Sequence, residues 1–178
     1  MSTIHPAAAQ GFSSGAALYQ QTRPSYPLQI VSWLRSELEL SSQSQVIDLA
    51  AGTGKFTQYL KQVTPHIVAV EPVTEMQQQL KAAYPDITTL TAYSDQIPLE
   101  STQYDAVLAA QAFHWFANHE TLAEVHRLLK PHGHFGLVWN QRDTSVPWVK
   151  ALADILLPLE NDTPRYHSGE WKKAFQNQ

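Results

Sequence analysis

VIDLAAGTGKFT, residues 46–57, is the stretch on which the reading of this chain turns. Val46, Ile47 and Leu49 are β-branched or apolar and predict a short buried strand. Ala50, Ala51, Gly52, Thr53 and Gly54 then make a turn of small residues, over which a ligand can approach the backbone closely. Helical composition over residues 55–62 predicts a helix whose first N–H groups point back at this turn, favouring electronegative atoms there by roughly 0.3–1 kcal/mol. A G-x-G-x-x-G dinucleotide fingerprint is not met, because Thr57 stands where the third glycine belongs. Gly54-Lys55-Phe56 likewise breaks the ending of a phosphate-binding P-loop. With Asp48 leading into it, the strand-turn-helix suits a nucleoside ligand whose other end carries an amine, which a carboxylate attracts directly or through water.

One unit further on, residues 66–70 predict a second apolar strand, closed by Glu71. An acidic side chain roughly twenty residues after the glycines can accept hydrogen bonds from both ribose hydroxyls. Charge-assisted bonds of this kind contribute about 1.5–3 kcal/mol. Residues 73–83 predict a helix, ended by Pro85-Asp86, in which Met76 is placed either to touch a nucleobase held by Glu71 or to serve as ordinary packing. A third strand is expected over residues 87–92 and a fourth, almost wholly apolar, over 104–110, as for a strand covered on both faces. An amphipathic helix over 119–129 carries Leu122, Val125, Leu128 and Leu129 inward, is ended by residues 130–133, and leads to a fifth strand over 134–139.

Five stretches taken together resemble the class I S-adenosylmethionine-dependent methyltransferases, in their small-molecule, methyltransferase 11-like form. They are VIDLAAGTGKFT, VAVEP at 68–72, SDQIPL at 94–99, YDAVLAAQAFHWF at 104–116 and LLKPHGHFGLVWN at 128–140. The resemblance implies an α/β fold: a Rossmann-like, doubly wound, mostly parallel sheet flanked by helices. It implies S-adenosyl-L-methionine as cofactor, transfer of its methyl group to a small-molecule acceptor, and a cytoplasmic enzyme. Ala50 stands for the first glycine of the family's turn, a small replacement expected to be tolerated. The donor site implied is Asp48, Ala50, Gly52, Gly54, Glu71, Pro72, Met76, Asp95, Gln96, Ile97 and Gln111, with Asp95 accepting from the adenine amino group and Ile97 covering the ring. By the same resemblance the RPSYP segment lies over the cleft, so that Tyr19 and Arg23 face the cofactor's carboxylate or the substrate, the other reading of Arg23 being a pairing with surface acids. His114, Trp115 and Trp139 are expected in the substrate pocket. If any side chain acts as a base it is His114, the competing view being that His114 only shapes the pocket. Transfer from an already activated sulfonium needs chiefly alignment and exclusion of water.

Composition sets the outer bounds. At 178 residues with 43% hydrophobic side chains the chain is long enough for one domain with a proper core. A formal charge of −4 without a basic run argues against nucleic acid as the main partner. Zero cysteines remove disulfides and thiolate metal sites together. Residues 1–10 lack the pattern of a signal peptide, and no run approaches membrane-spanning length. His114, His119, His126, His132 and His134 lack the i, i+4 pairing with an acid that zinc hydrolases show, so no metal is expected.

Three segments of one structural domain are expected: an N-terminal helical cover over 1–40, with a helix over 28–40; a donor-binding core over 41–142; and a helical substrate-side segment over 143–178, with a helix over 148–159. No sequence is found for the two further strands with which the family's sheet usually ends. The preferred reading is truncation, the other being a five-strand sheet; either leaves an exposed edge expected to pair with another copy. A donor-binding protein without turnover, in a regulatory or scaffold role, stays open beside the enzyme. A nicotinamide oxidoreductase is disfavoured by the missing third glycine.

Overall fold

The computed structural model describes residues 24–160 and 163–176. Five strands, β1 (Val46–Leu49), β2 (Ile67–Val70), β3 (Thr88–Leu90), β4 (Tyr104–Ala110) and β5 (Leu129–Val138), form one sheet in the order β3-β2-β1-β4-β5. Every pairing is parallel, so the chain must cross over between strands through helical or looped connections. β1 is buried along its whole length and β4 nearly so, as the unbroken apolar runs require of strands covered on both faces. The expected Rossmann-like α/β sheet is the observed one, and among the described residues no strand follows β5.

Helices cover both faces. On one side α1 (Gln29–Ser36), α2 (Thr57–Leu60) and α3 (Thr74–Ala83) contribute Leu34, Leu60 and Leu80, all fully buried, to a core that includes Val46, Ala69 and Leu108. On the other, α4 (His119–Leu128) places Leu122, Val125 and Leu128 against Ile47, Val70, Val107 and Phe113. Asn118 caps α4 by accepting from the Thr121 N–H at 2.7 Å, the usual service of an asparagine at a helix start. A fifth helix, α5 (Pro147–Leu156), buries no residue, and a one-turn 3-10 segment, Leu157–Leu159, continues it.

Several elements differ from the periodicity reading. The helix expected over 55–62 is only α2, because Gly52 and Gly54 hold positive φ of 60° and 84° and residues 52–56 remain in turns. A single turn carries little dipole, so the first N–H groups of α2 draw electronegative atoms to the glycine turn less than a full helix would. The third strand shortens to three residues. β5 begins earlier than expected: Leu129 pairs with Tyr104 before the chain bulges and rejoins with His134 opposite Ala106. His132 takes the positive φ of 67° within that bulge, and Lys130 clamps its start by bonding both oxygens of Asp105, at 2.8 and 2.9 Å.

From β1 the chain winds outward to β3 and then returns to lay β4 on the other side of β1. In open α/β sheets this reversal splays the loops apart at the carboxyl ends of the two central strands and opens a crevice there. Ala50 follows β1 with a φ of 56°, and Gln111 follows β4 with a φ of 58°. Both strands therefore turn away sharply at the same level.

Candidate functional site

That crevice is a cavity of about 1400 Å³. A single small-molecule site usually occupies about 300–1,000 Å³, so the hollow has room for two reactants. Its floor is the carboxyl end of β1, with Asp48, Ala50 and Gly52. One wall comes from β2 and α3, with Glu71, Pro72 and Met76; another follows β3, with Ser94 and Asp95; a third follows β4, with Gln111, His114 and Trp115. Pro24 and Tyr26 close over it from the N-terminal side. Tyr26 is held there edge-on to Phe56 and Tyr59, with ring centroids 5.2 and 5.8 Å away, and its carbonyl accepts from the Tyr59 hydroxyl at 2.6 Å.

Glu71 organises the floor. One carboxylate oxygen accepts the Gly52 N–H at 2.8 Å and the other the Val73 N–H at 2.9 Å, which ties the glycine turn to the end of β2. The side chain is only 5% exposed, and burial raises its pKa above the ordinary carboxylate value against the pull of those two N–H groups. A carboxylate has about four lone-pair directions, so two remain after the backbone is served. Gly52 itself would meet nothing within 4 Å if it carried a Cβ. The cradle above it is open.

Asp48 lies deeper, 1% exposed, and accepts the Thr57 hydroxyl at 2.6 Å. Thr57 occupies the position of the missing third glycine, so the residue that breaks the dinucleotide fingerprint is the one that braces Asp48. Burial pushes the Asp48 pKa up to about 7, opposed by the Thr57 bond and reinforced by the nearby Glu71 charge. A positive ligand group at this spot would restore its ionisation.

Across the cavity, one oxygen of Asp95 is buried and has no hydrogen-bond partner among the described residues. A buried acceptor left bare needs an explanation, and a ligand amino group is the chemical complement. The neighbouring Ile97 is placed otherwise than expected. It is 3% exposed in the core against α4, its N–H donating to Glu124 at 2.7 Å and its carbonyl accepting from Arg127 at 3.0 Å. Gln96 is exposed on the outer side of the loop, and neither residue lines the cavity.

Gly54 is also removed from the cavity. A Cβ there would stand 2.7 Å from the Tyr84 ring, so this glycine serves the packing of the turn on α3 and its flank. Trp139 does not line the cavity either; its ring lies tilted against Tyr166 and Trp171, at 4.8 and 4.9 Å between centroids. Its indole N–H donates to His114 Nδ1 at 3.1 Å. A neutral imidazole has one donor and one acceptor nitrogen, so this bond leaves the proton on Nε2. Burial, aided by the positive Arg165, lowers the His114 pKa to about 4. Tyr19 and Arg23 lie outside the described residues. Among the described residues no three His, Asp or Glu side chains group as a metal site, and no helix is long and apolar enough to cross a membrane.

Thr57, Arg165 and Tyr166 are the site residues that sequence reasoning missed. The Thr57 role had a signal, a hydroxyl standing where a dinucleotide turn would carry its third glycine. Arg165 and Tyr166 reach the cavity only through aromatic packing on Trp139, for which no spacing rule exists.

Residues 47–137 match the methyltransferase domain family. The chain belongs to that family. Among curated relatives it is 40% identical over 165 residues to an uncharacterized methyltransferase-like protein of Schizosaccharomyces pombe, covering 92% of this chain and 64% of the relative. It is 38% identical over 172 residues to an uncharacterized methyltransferase of Mycobacterium tuberculosis, covering 90% and 69%. The chain thus spans between 58% and 69% of the length of such relatives. A crystal structure from Methanococcus maripaludis, classed among the S-adenosyl-L-methionine-dependent methyltransferases, superposes with a TM-score of 0.67 at 17% identity, over 91% of this chain and 77% of that one. At that identity the likeness speaks for the fold. In this fold the crevice at the sheet's reversal point is where Glu71, Gly52, Asp48 and Asp95 converge.

Proposed function

We propose that this protein is an S-adenosyl-L-methionine-dependent methyltransferase acting on a small molecule. The observation that carries the reading is the meeting, in one crevice at the sheet's reversal point, of an open glycine cradle and three carboxylates spaced along it. The spare lone pairs of Glu71 suit the ribose hydroxyls, the bare oxygen of Asp95 the adenine amino group, and the buried Asp48 the ammonium of the amino-acid end. Met76 and Pro72 offer apolar contact beside the base. When bound, the donor supplies an activated sulfonium methyl. The protein's own work is to align donor and acceptor and to exclude water, and Tyr26 and Trp115 stand where a cover and a wall are needed.

His114 fits this scheme as a hydrogen-bond donor rather than a base. Its Nδ1 is engaged by Trp139, its Nε2 holds the proton, and its low pKa keeps it neutral at physiological pH. A second reading, donor binding without turnover, draws on α5: its end and the following 3-10 turn wall the substrate side, yet the helix is anchored by no buried residue. Among the described residues β5 is an edge strand, in keeping with pairing to another copy.

Calorimetric titration with S-adenosylmethionine, S-adenosylhomocysteine and NAD tests the assignment. Micromolar binding of the first two with no heat from NAD is expected; the reverse preference would sink it. Transfer of radiolabelled methyl to any of a panel of acceptors then separates the enzyme from the silent binder.

A further inference from the structure

Two groups on the substrate side of the cavity are still unaccounted for. The first is the Nε2–H of His114, the nitrogen left to the cavity once Trp139 has taken Nδ1. The second is Arg165, whose Nε is buried with no hydrogen-bond partner among the described residues. Among the described residues its nearest anion, Glu160 Oε1, stands 3.7 Å away, within Coulombic reach but beyond a hydrogen bond, while Glu160 Oε2 is taken by His167 Nε2 at 3.0 Å. Arg165 and His114 share one electrostatic environment, since the guanidinium charge is felt at the imidazole. Of the other acids that line the cavity, Asp154 is paired with Lys150 at 2.7 Å, and Glu120 starts α4. Arg142 adds a further cation to the same rim.

We propose that the acceptor is a small carboxylic acid, methylated on a carboxylate oxygen, with Arg165 and the His114 Nε2–H as the donors that hold the carboxylate. The inference rests on the methyltransferase reading above and specifies its substrate class. Arg165 and the His114 N–H are donors only, and although Glu160 Oε1 stands 3.7 Å from the guanidinium, the Arg165 Nε makes no hydrogen bond to it, so the two donors together complement a carboxylate. A phenol, or an amine arriving as its ammonium, would need a group to take its proton, and His114 has neither a free lone pair nor the basicity to do so. A carboxylate arrives already ionised. One of its oxygens attacks the methyl carbon, the O–C bond forms as the C–S bond breaks, and the electron pair passes to sulfur. Sulfonium and carboxylate become neutral thioether and neutral ester, and no proton moves. Trp139 acts here as a positioning residue, because its indole N–H decides which imidazole nitrogen faces the cavity.

The test is binding of matched carboxylates and carboxamides, benzoate with benzamide, adipate with adipamide and decanoate with decanamide, to the full chain saturated with S-adenosylhomocysteine. The carboxylate of at least one pair is expected to bind ten times or more tighter than its amide. Arg165→Gln should erase that ratio while leaving S-adenosylhomocysteine affinity within twofold. His114→Gln, which keeps an N–H, should retain the ratio better than His114→Leu. Where turnover is seen, the labelled product should release its methyl group as methanol in mild alkali. No preference in any pair, a preference unchanged in Arg165→Gln, or an alkali-stable product overturns the proposal. Failure of S-adenosylhomocysteine itself to bind would instead overturn the methyltransferase reading on which it stands.

Discussion

Replacing Glu71 by Gln separates two jobs that the structure gives to one side chain. In the folded protein the carboxylate accepts from Gly52 and Val73 at 2.8 and 2.9 Å, and it has two lone pairs left for a ribose. Glutamine keeps the volume but turns one oxygen into an NH2 group, so one of those backbone N–H groups faces a donor. A buried N–H deprived of its acceptor costs about 1–3 kcal/mol. At about 2–4 °C per kcal/mol for a chain of this size, melting should fall by roughly 2–12 °C. Binding suffers separately, because the ribose bonds lose their charge and one loses its acceptor. Loss of about 1.5–3 kcal/mol, one charge-assisted bond, weakens the donor by at least tenfold. Calorimetry with S-adenosylhomocysteine at 15 °C, where the variant is still folded, reads the second effect, and a melting curve without ligand reads the first. A variant that melts lower yet binds within twofold of the parent would show that Glu71 only braces the turn, and the ribose role would be wrong. Glu71→Ala extends the test, since it removes both ribose bonds and both backbone acceptors.

Asp48 predicts a pH signature. Its folded pKa is raised from 3.8 to about 7, so between those values the folded state holds a proton that the unfolded state has released. Stability of the ligand-free protein should therefore fall as pH rises from about 4 to about 7, by on the order of 4 kcal/mol at most, and level off above. Donor affinity should move the opposite way, rising toward tenfold per pH unit below 7, because the ligand ammonium needs the ionised form. Asp48→Asn should flatten both curves, and an unchanged pH dependence would refute the assignment. Gly52→Ala and Gly54→Ala should fail differently: the first, with open space around it, should lose donor binding with modest destabilisation. The second places a methyl group 2.7 Å from Tyr84 at a φ of +84° and should destabilise by about 2–4 kcal/mol while still binding when folded. Ala50→Gly relieves a left-handed alanine at φ 56°, and chemical denaturation should show a gain of about 0.5–1 kcal/mol after the added freedom of the unfolded chain is subtracted; a loss would mean that the turn is not strained there.

Local chemistry was enough to place the strands and to bring Asp48, Gly52 and Glu71 to the crevice. A run such as Val46 to Leu49 is apolar because its strand is covered on both faces, and the acid at Glu71 follows its strand directly, so strand geometry carries it to the crevice without help from distant residues. Turn lengths were less legible. The helix expected after Gly54 dwindled to four residues because two positive-φ glycines keep the chain turning, and periodicity over so few residues does not reveal φ. Among adjacent loop residues, Asp95 faces the cavity while Ile97 is pinned to α4 by Glu124 and Arg127. That division was decided by partners roughly thirty positions away, which no window of sequence contains. The tautomer of His114 and the arrival of Arg165 were tertiary outcomes too, since both depend on how Trp139, Tyr166 and Trp171 stack. Backbone patterning places whatever lies at a strand's tip, whereas groups that act through side-chain packing take their positions only once the core has closed around them.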